Sequence, residues 1–237
     1  MARIKLLLGD AIEQMKKLPD QRIDMVLTDP PYGKTACKWD TVIPFEPMWK
    51  QLKRITKKNG AMVLFGSQPF TSALVMSNVK MFKYEWIWNK ITARGHLVAK
   101  KRPMAQHENV IVFGQGTILY NPQMLKRDKP IRGTEGKRTD IMGGVSTGFS
   151  KIYTHAYPKT IQTFKMDKNV GHPTQKPVAL MEYLIKTYTN EGETVLDFAM
   201  GSGTTGVASI NLNRRFIGID DTEEYFEIAK SRCNYRE

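Results

Sequence analysis

The chain is poor in cysteine. Its 237 residues hold two, Cys37 and Cys233, with no Cys-x-x-Cys and no nearby Cys/His cluster. That spacing excludes a disulfide framework and a structural zinc site, and no metal is expected. Long apolar runs are also missing: none approaches the ~20 residues of a membrane-spanning helix. The basic, apolar start Met1 to Gly9 is too short for a signal's apolar region plus cleavage site. The expectation is a soluble protein of a reducing cytoplasm, with no membrane partner. Repeats and low-complexity tracts are absent. Acidic residues are scarce, 23 Asp plus Glu against 36 Lys plus Arg, for a formal charge of +13. The resulting pI near 9.7 sets the chain apart from most metabolic enzymes and points to a polyanionic partner.

The length suits one α/β domain with an insertion. Strand and helix patterns alternate through 1–114. Ile4 to Leu8 reads as a strand, and Asp10 with Glu13 caps a helix that ends at Leu18-Pro19-Asp20. The apolar run Ile23 to Thr28 is too short for a helix and reads as a buried strand. A helix near Glu46 to Thr56 is expected to stop at Asn59-Gly60, a C-cap signal. Ala61 to Phe65, a helix from about Pro69 to Asn78, and strands Phe82 to Trp88 and Asn109 to Phe113 complete this part. Periodicity fades over 115–170, where glycines recur and ten Lys or Arg stand against four acidic residues. Such a stretch makes little core of its own and reads as a loop-rich functional insertion. Order returns over 171–237: a helix Pro177 to Thr189, a strand Thr194 to Phe198, a helix from Thr204, a strand Arg215 to Ile219 and a terminal helix from Glu223. Alternating β and α elements predict a mostly parallel sheet with helices on both faces.

Two places carry chemistry. Asp29-Pro30-Pro31-Tyr32 follows the buried strand directly, and a carboxylate, two prolines and a ring at a strand's carboxyl end suit a flat, nitrogen-bearing ring. The second is Gly201-Ser202-Gly203-Thr204-Thr205-Gly206, a G-x-G-x-x-G between strand and helix. Its glycines let a ligand approach the backbone, and the helix's first N–H groups can meet an anion. Asp220 ends the next strand, where a carboxylate can accept hydrogen bonds from both ribose hydroxyls. This pattern indicates a nucleoside cofactor and leaves dinucleotide and S-adenosylmethionine enzymes both open. Only 17 residues follow Asp220, too few for the rest of an open sheet, so earlier strands must supply it. The predicted fold is circularly permuted: Ile4 to Leu8 continues after Asp220, and Asp10, Asp29, Asp197 and Asp220 share one crevice. Asp10 there can bind an adenine amino group or simply cap its helix.

With both motifs in hand, the chain resembles the β-class DNA amino-methyltransferases. Asp29 to Tyr32 corresponds to the catalytic motif, His172-Pro173-Thr174-Gln175-Lys176-Pro177 to the segment before the cofactor strand, and Asp197-Phe198-Ala199-Met200-Gly201-Ser202-Gly203 to the cofactor loop. Phe216 to Asp220 matches the ribose-binding strand. Phe198 departs from the family's usual Pro, which moves the aromatic of this loop one position early. The resemblance implies a circularly permuted Rossmann-like methyltransferase sheet using S-adenosylmethionine on DNA. Asp29, Pro30, Pro31 and Tyr32 are then catalytic, and 115–170 is the target-recognition insertion. Asp10, Ala11, Lys176, Asp197, Phe198, Ala199, Gly201, Ser202, Gly203, Thr204 and Asp220 hold the cofactor. Lys176 meets the cofactor's carboxylate or a helix end. Lys126, Arg127, Lys129, Arg132, Lys137 and Arg138 of the insertion, with Arg94 and Lys101, suit phosphate contacts. Homodimers are common in the class, although no residue here demands one.

The chemistry agrees with that resemblance. The exocyclic amine of adenine is a poor nucleophile, because its lone pair is conjugated into the ring. Asp29 and the carbonyl of Pro30 can each accept one N–H, aiming the lone pair at a methyl donor. Tyr32 can stack on the base, which must leave the duplex to be reached. The expected reaction is adenine-N6 methylation of DNA. Cytosine-N4 methylation is the near alternative, since relatives acting on cytosine more often carry Ser in place of Asp29. Cytosine-C5 chemistry needs a cysteine after a proline, whereas Cys37 sits in Ala36-Cys37-Lys38. A nucleotide-dependent dehydrogenase or an inactive DNA-binding protein are the alternatives of other classes. Trp86 and Trp88 alternate in a strand and read as packing residues, and His96 and His107 default to structure.

Overall fold

The computed structural model describes residues 4–34, 40–133, 152–167 and 175–235. In chain order the elements are β1 (Ile4–Leu8), α1 (Ala11–Lys16), β2 (Ile23–Thr28), α2 (Phe45–Ile55), β3 (Thr56–Gly66), α3 (Phe70–Ser77), β4 (Phe82–Arg94), β5 (Ala105–Phe113), β6 (Leu125–Arg132), β7 (Ile152–Ala156), β8 (Ile161–Thr163), α4 (Val178–Tyr188), β9 (Thr194–Asp197), α5 (Thr204–Asn211), β10 (Arg215–Asp220) and α6 (Glu223–Arg232). Two compact units result. One is Met1–Asn121 with Thr160–Glu237, and the other is Pro122–Lys159.

The larger unit is built on an eight-stranded sheet in the order β1-β10-β9-β2-β3-β5-β4-β8. The first five strands run parallel, β5 is antiparallel to both its neighbours, and β8 lies parallel to β4. The permutation expected from the short tail is present. Leu8 pairs with Asp220, and Gly9 N donates to the Asp220 carbonyl at 2.8 Å. The amino-terminal strand therefore extends the sheet that the carboxyl-terminal half begins, and Asp10 and Asp220 end at the same edge.

Strand alternation divides the apolar residues between two cores. Met25 and Leu27 of β2, with Ala61, Val63 and Phe65 of β3, pack under α4, α5 and α6. Val26, Met62 and Leu64 face α1, α2 and α3. All six β2 residues are buried, each large apolar side chain stabilising the fold by roughly 1.5–3 kcal/mol. This central strand is thus the rigid post on which Asp29 stands.

One local expectation is corrected. Asn59-Gly60 does not end α2, because the chain turns extended already at Thr56 (ψ 134°) and β3 runs through both residues. Between the Ile23–Thr56 and Met25–Ala61 pairs β3 carries three extra residues. The Asn-Gly pair therefore marks a bulge, which also brings Lys57 Nζ within 2.5 Å of Asp24. The strands Phe82 to Trp88 and Asn109 to Phe113 are longer than expected and form one antiparallel pair. In the smaller unit β6 and β7 form an antiparallel ribbon whose side chains are mostly exposed, as its weak periodicity implies. Among the described residues no helix is long and apolar enough to cross a membrane, and no cluster of His, Cys, Asp or Glu could hold a metal.

Candidate active site

Asp29 sits just past the end of β2, and its carboxylate is held from two sides. The Tyr32 hydroxyl donates to Oδ1 and the Lys176 ammonium donates to Oδ2. Lys176 is 6% exposed, so this is a buried ion pair and needs further partners to offset its lost hydration. They come from β4 and β5. Glu108 Oε2 lies 3.2 Å from the same ammonium, and Lys90 donates to Glu108 Oε1. Two carboxylates and two ammonium groups thus alternate in one chain. Burial pushes the Asp29 carboxyl up, against the pull of Lys176. Burial acts the same way on Glu108, but Lys176 and Lys90 outweigh it and hold Glu108 below the ordinary range. Burial alone would lower the Lys176 pKa, and its two carboxylates raise it instead. Burial, then Asp29, push the Tyr32 phenol well up, so Tyr32 is a donor to Asp29.

The loop after Asp29 is pinned by Asp40, whose Oδ1 accepts the backbone N–H groups of Tyr32 and Gly33 at 2.8 Å and whose Oδ2 accepts that of Lys34 at 2.8 Å. The Tyr32 ring lies 5.0 Å from that of Phe70, tilted by 31°. Backbone and ring are therefore both fixed independently of any ligand.

The glycine loop is braced by the Arg232 guanidinium, which donates to the Ser202 carbonyl at 2.7 Å, and the two carboxylates beside it are met by neutral donors. Asp197, 3% exposed, accepts from Thr28 Oγ1 at 2.7 Å and Ala199 N at 3.2 Å on Oδ1, and from Thr205 Oγ1 at 2.5 Å on Oδ2. It ties β2, β9 and α5 together, and burial pushes its pKa up to about 6. Asp220 accepts Gly201 N at 2.8 Å and Thr222 N at 3.0 Å, one on each oxygen, which leaves lone pairs on both. Burial raises its pKa to about 6 as well. Gly201 has φ +49°, and a Cβ there would meet nothing within 4 Å; its backbone opens on free space. Gly206 differs, since a Cβ would lie 2.6 Å from Cys233 Sγ and 2.8 Å from the Phe216 ring. The first glycine serves an approach from outside and the last serves packing.

Both motifs border one cavity of about 720 Å³, lined among others by Asp10, Asp29, Tyr32, Gly201 and Asp220. Its size is that of a small-molecule site. A nucleoside cofactor fits the donor set: carboxylates at the strand ends, and a bare backbone at Gly201.

The DNA methylase profile of the N6/N4 group matches residues 23–231. The chain belongs to the N6/N4 DNA methylase family. It is 30% identical over 253 residues to the type II methyltransferase M2.DpnII of Streptococcus pneumoniae, covering 94% of this chain and 87% of that one. It is 28% identical over 243 residues to the DNA adenine methyltransferase YhdJ of Escherichia coli, covering 95% and 81%. Among solved structures, the M1.HpyAVI–SAM complex matches at 27% identity with a TM-score of 0.67, over 98% of this chain and 100% of that one.

In this methylase the cavity brings together most residues singled out from the sequence. Asp10, Ala11, Asp29, Pro30, Pro31, Tyr32, Lys176, Asp197, Phe198, Ala199, Gly201, Ser202, Thr204 and Asp220 all border it. Asp10 also caps α1, Oδ1 accepting Glu13 N at 2.9 Å. Phe198 is 1% exposed and belongs to the α1–α3 core. Lys176 does not serve a helix end. The first N–H of α4 is met by Asp167 Oδ2 at 3.1 Å, and the ammonium goes to Asp29 and Glu108. Trp86 and Trp88 are core residues, their indoles donating to the Tyr188 hydroxyl at 2.6 Å and the Phe164 carbonyl at 2.9 Å, although Trp88 also borders the cavity. Arg94 borders it too, and Lys101 is exposed on the β4–β5 connection. Lys126, Lys129 and Arg132 are exposed on β6, and Arg127 Nε donates to the His155 carbonyl at 3.2 Å. Lys137, Arg138 and His172 to Thr174 lie outside the described residues. Sequence reasoning missed Asp40, Lys90 and Glu108. Lys90 carried a signal, since it continues the Trp86–Trp88 alternation along β4.

Proposed function

We propose that this methylase moves a methyl group from S-adenosylmethionine to the N6 amine of an adenine flipped out of DNA, in the cytoplasm. The observation that carries the reading is the single cavity: Asp29 to Tyr32 borders one part, and Gly201 and Asp220 border another. Asp220 would take the ribose hydroxyls, Asp10 the adenine amino group, and the Gly201, Ser202 and Thr204 backbone the rest of the cofactor, while Gly203, expected there too, lies off the cavity lining and packs on Ala229 of α6. Bound there, S-adenosylmethionine supplies a methyl on a positively charged sulfur. The chain's own groups then act by position. Asp29 and the Pro30 carbonyl accept the two N–H bonds of the target amine, so its lone pair leaves conjugation and points into the cavity. The two prolines and Asp40 keep that acceptor pair stiff, which is where most of the rate is gained. Tyr32 holds Asp29 through its hydroxyl and offers its ring to the base, a stacking contact of roughly 1–3 kcal/mol.

Residues 115–170 form the target-recognition insertion in this reading. The exposed β6–β7 ribbon, with Lys126, Arg127, Lys129 and Arg132, has the form that a major groove admits. Arg94 and Lys101 add phosphate contacts near the cavity. An aspartate in place of serine in the catalytic motif favours adenine over cytosine. Methylation-aware sequencing of DNA from cells expressing the protein is the direct test. Methylated adenines in a recurring short motif are expected, and modified cytosines instead would transfer the same site to N4 chemistry.

A further inference from the structure

Lys176 stands between two carboxylates and pairs with both, more closely with Asp29. Its ammonium donates to Asp29 Oδ2. Glu108 Oε2 is 3.2 Å away and forms the second ion pair of the same ammonium, a looser contact with no well-aligned hydrogen bond among the described residues. The ammonium thus has a closer carboxylate and a looser one within reach. The rest of Glu108 is anchored, with Oε1 taking the Lys90 ammonium and β5 pairing with β4 at Trp88. The Lys176 head group lies over the Phe65 ring, 5.1 Å from its centroid, a seat that constrains the stem and leaves a rotation of the terminal bonds to carry Nζ from one carboxylate to the other. Asp29, by contrast, has both oxygens engaged by the chain itself, one by Tyr32 and one by Lys176.

We propose that Glu108 is a positioning residue that receives the Lys176 ammonium when the target amine claims Asp29. The inference rests on the reading of Asp29 as the acceptor for that amine. Before the base arrives, Lys176 keeps the buried Asp29 carboxylate charged and in place. When the amine's N–H reaches Asp29, the ammonium shifts to Glu108 Oε2 and clears the lone pair. Two ammonium groups and two carboxylates are present before and after, so no net charge moves into the buried site. Without Glu108 the ammonium has no second partner, and Lys176 stays on Asp29 in competition with the base.

The test is single-turnover methyl transfer as a function of pH for Glu108→Gln, Glu108→Asp and Lys176→Met, and for Glu108→Gln combined with Lys176→Met. Around Asp29 stand Tyr32, Lys176 and Glu108, with Lys90 behind Glu108, Asp197 across Thr28, and Asp40 and Lys34 in the following loop. Glu108→Gln removes a negative neighbour and commits Lys176 to Asp29. The rate should fall about tenfold or more, the acid limb should move to lower pH, and S-adenosylmethionine affinity should stay unchanged, which also reports that the variant is folded. Glu108→Asp keeps the charge and should leave the acid limb in place while recovering part of the rate. In the Lys176→Met background Glu108→Gln should add less than about a twofold loss. An unchanged rate in Glu108→Gln, an equal loss in both backgrounds, or lost cofactor binding would overturn the handover. Methyl transfer retained by Asp29→Ala would instead remove the reading of Asp29 on which the handover stands.

Discussion

Asp220 and Asp29, at the ends of β10 and β2 with β9 between them, are held in opposite ways. Asp220 is held by two backbone N–H groups, and Asp197 beside it by two threonine hydroxyls and a backbone N–H. Every donor to these two carboxylates among the described residues is neutral, and the one guanidinium nearby, that of Arg232, goes to Ser202 and Thr204 of the loop instead. Asp29 is held by a phenol and by a lysine that has a second carboxylate within reach. Neutral bracing makes a fixed seat, which suits the nucleoside part of a cofactor, the part that is the same before and after methyl transfer. Linked charges make an adjustable one, which suits a base that must arrive, be held through a change of geometry at nitrogen, and leave. The two halves of the cavity thus divide rigid holding from exchange.

Breaking each half separately should show this division, beginning with the largest effect. Asp29→Ala removes the proposed acceptor for the amine and should lower the methyl-transfer rate by about 10³-fold or more. Cofactor affinity, read by calorimetry, should hold within about threefold, and a large loss would place Asp29 in the wrong half. Asp220→Ala should do the reverse. A lost charge-assisted hydrogen bond contributes roughly 1.5–3 kcal/mol, so cofactor affinity should weaken by about 10- to 100-fold while DNA binding measured without cofactor stays the same.

The Asp220 pKa of about 6 adds a pH signature. Only the ionised carboxylate can accept both ribose hydroxyls, so cofactor affinity should be steady above pH 7 and fall as the pH drops through about 6. Calorimetry from pH 5 to 8 reads this directly, and a flat profile would deny Asp220 that contact. Thr205→Val strips one donor from buried Asp197 and should cost about 1–3 kcal/mol of stability, seen as a lower denaturant midpoint. Smallest are the basic side chains of β6. Replacing Lys126 or Lys129 with Ala should reduce the salt dependence of DNA binding by a slope of about 0.9 for each lost phosphate contact. A slope unchanged in both variants would remove these two residues from the interface.

Much of this was legible in the sequence wherever chemistry and order are local. Ile23 to Thr28 is a strand because a short apolar run with no helical period has no other way to be buried, and the glycine loop announces itself by spacing. The permuted sheet was expected as well, and β1 does lie beside β10 with Leu8 opposite Asp220. What escaped depends on register across long separations. Glu108 sits in Gln106-His107-Glu108, which reads as a polar loop, and only the antiparallel pairing of Trp88 with Glu108 sets its carboxylate beside Lys90 and Lys176. Asp40 acts through backbone N–H groups six to eight residues away, a link with no pattern in the residue types. Asn59-Gly60 misled because the same dipeptide suits a helix end and a bulge, and the partner strand decides between them.

Two things define the proposed reaction, the atom that receives the methyl group and the side chain that presents it. Nucleoside mass spectrometry of DNA incubated with labelled S-adenosylmethionine and either the wild-type protein or Asp29→Ala tests both at once. The account predicts labelled N6-methyladenine with the wild type and none above background with the variant. Labelled N4-methylcytosine, or N6-methyladenine that survives the substitution, would contradict it.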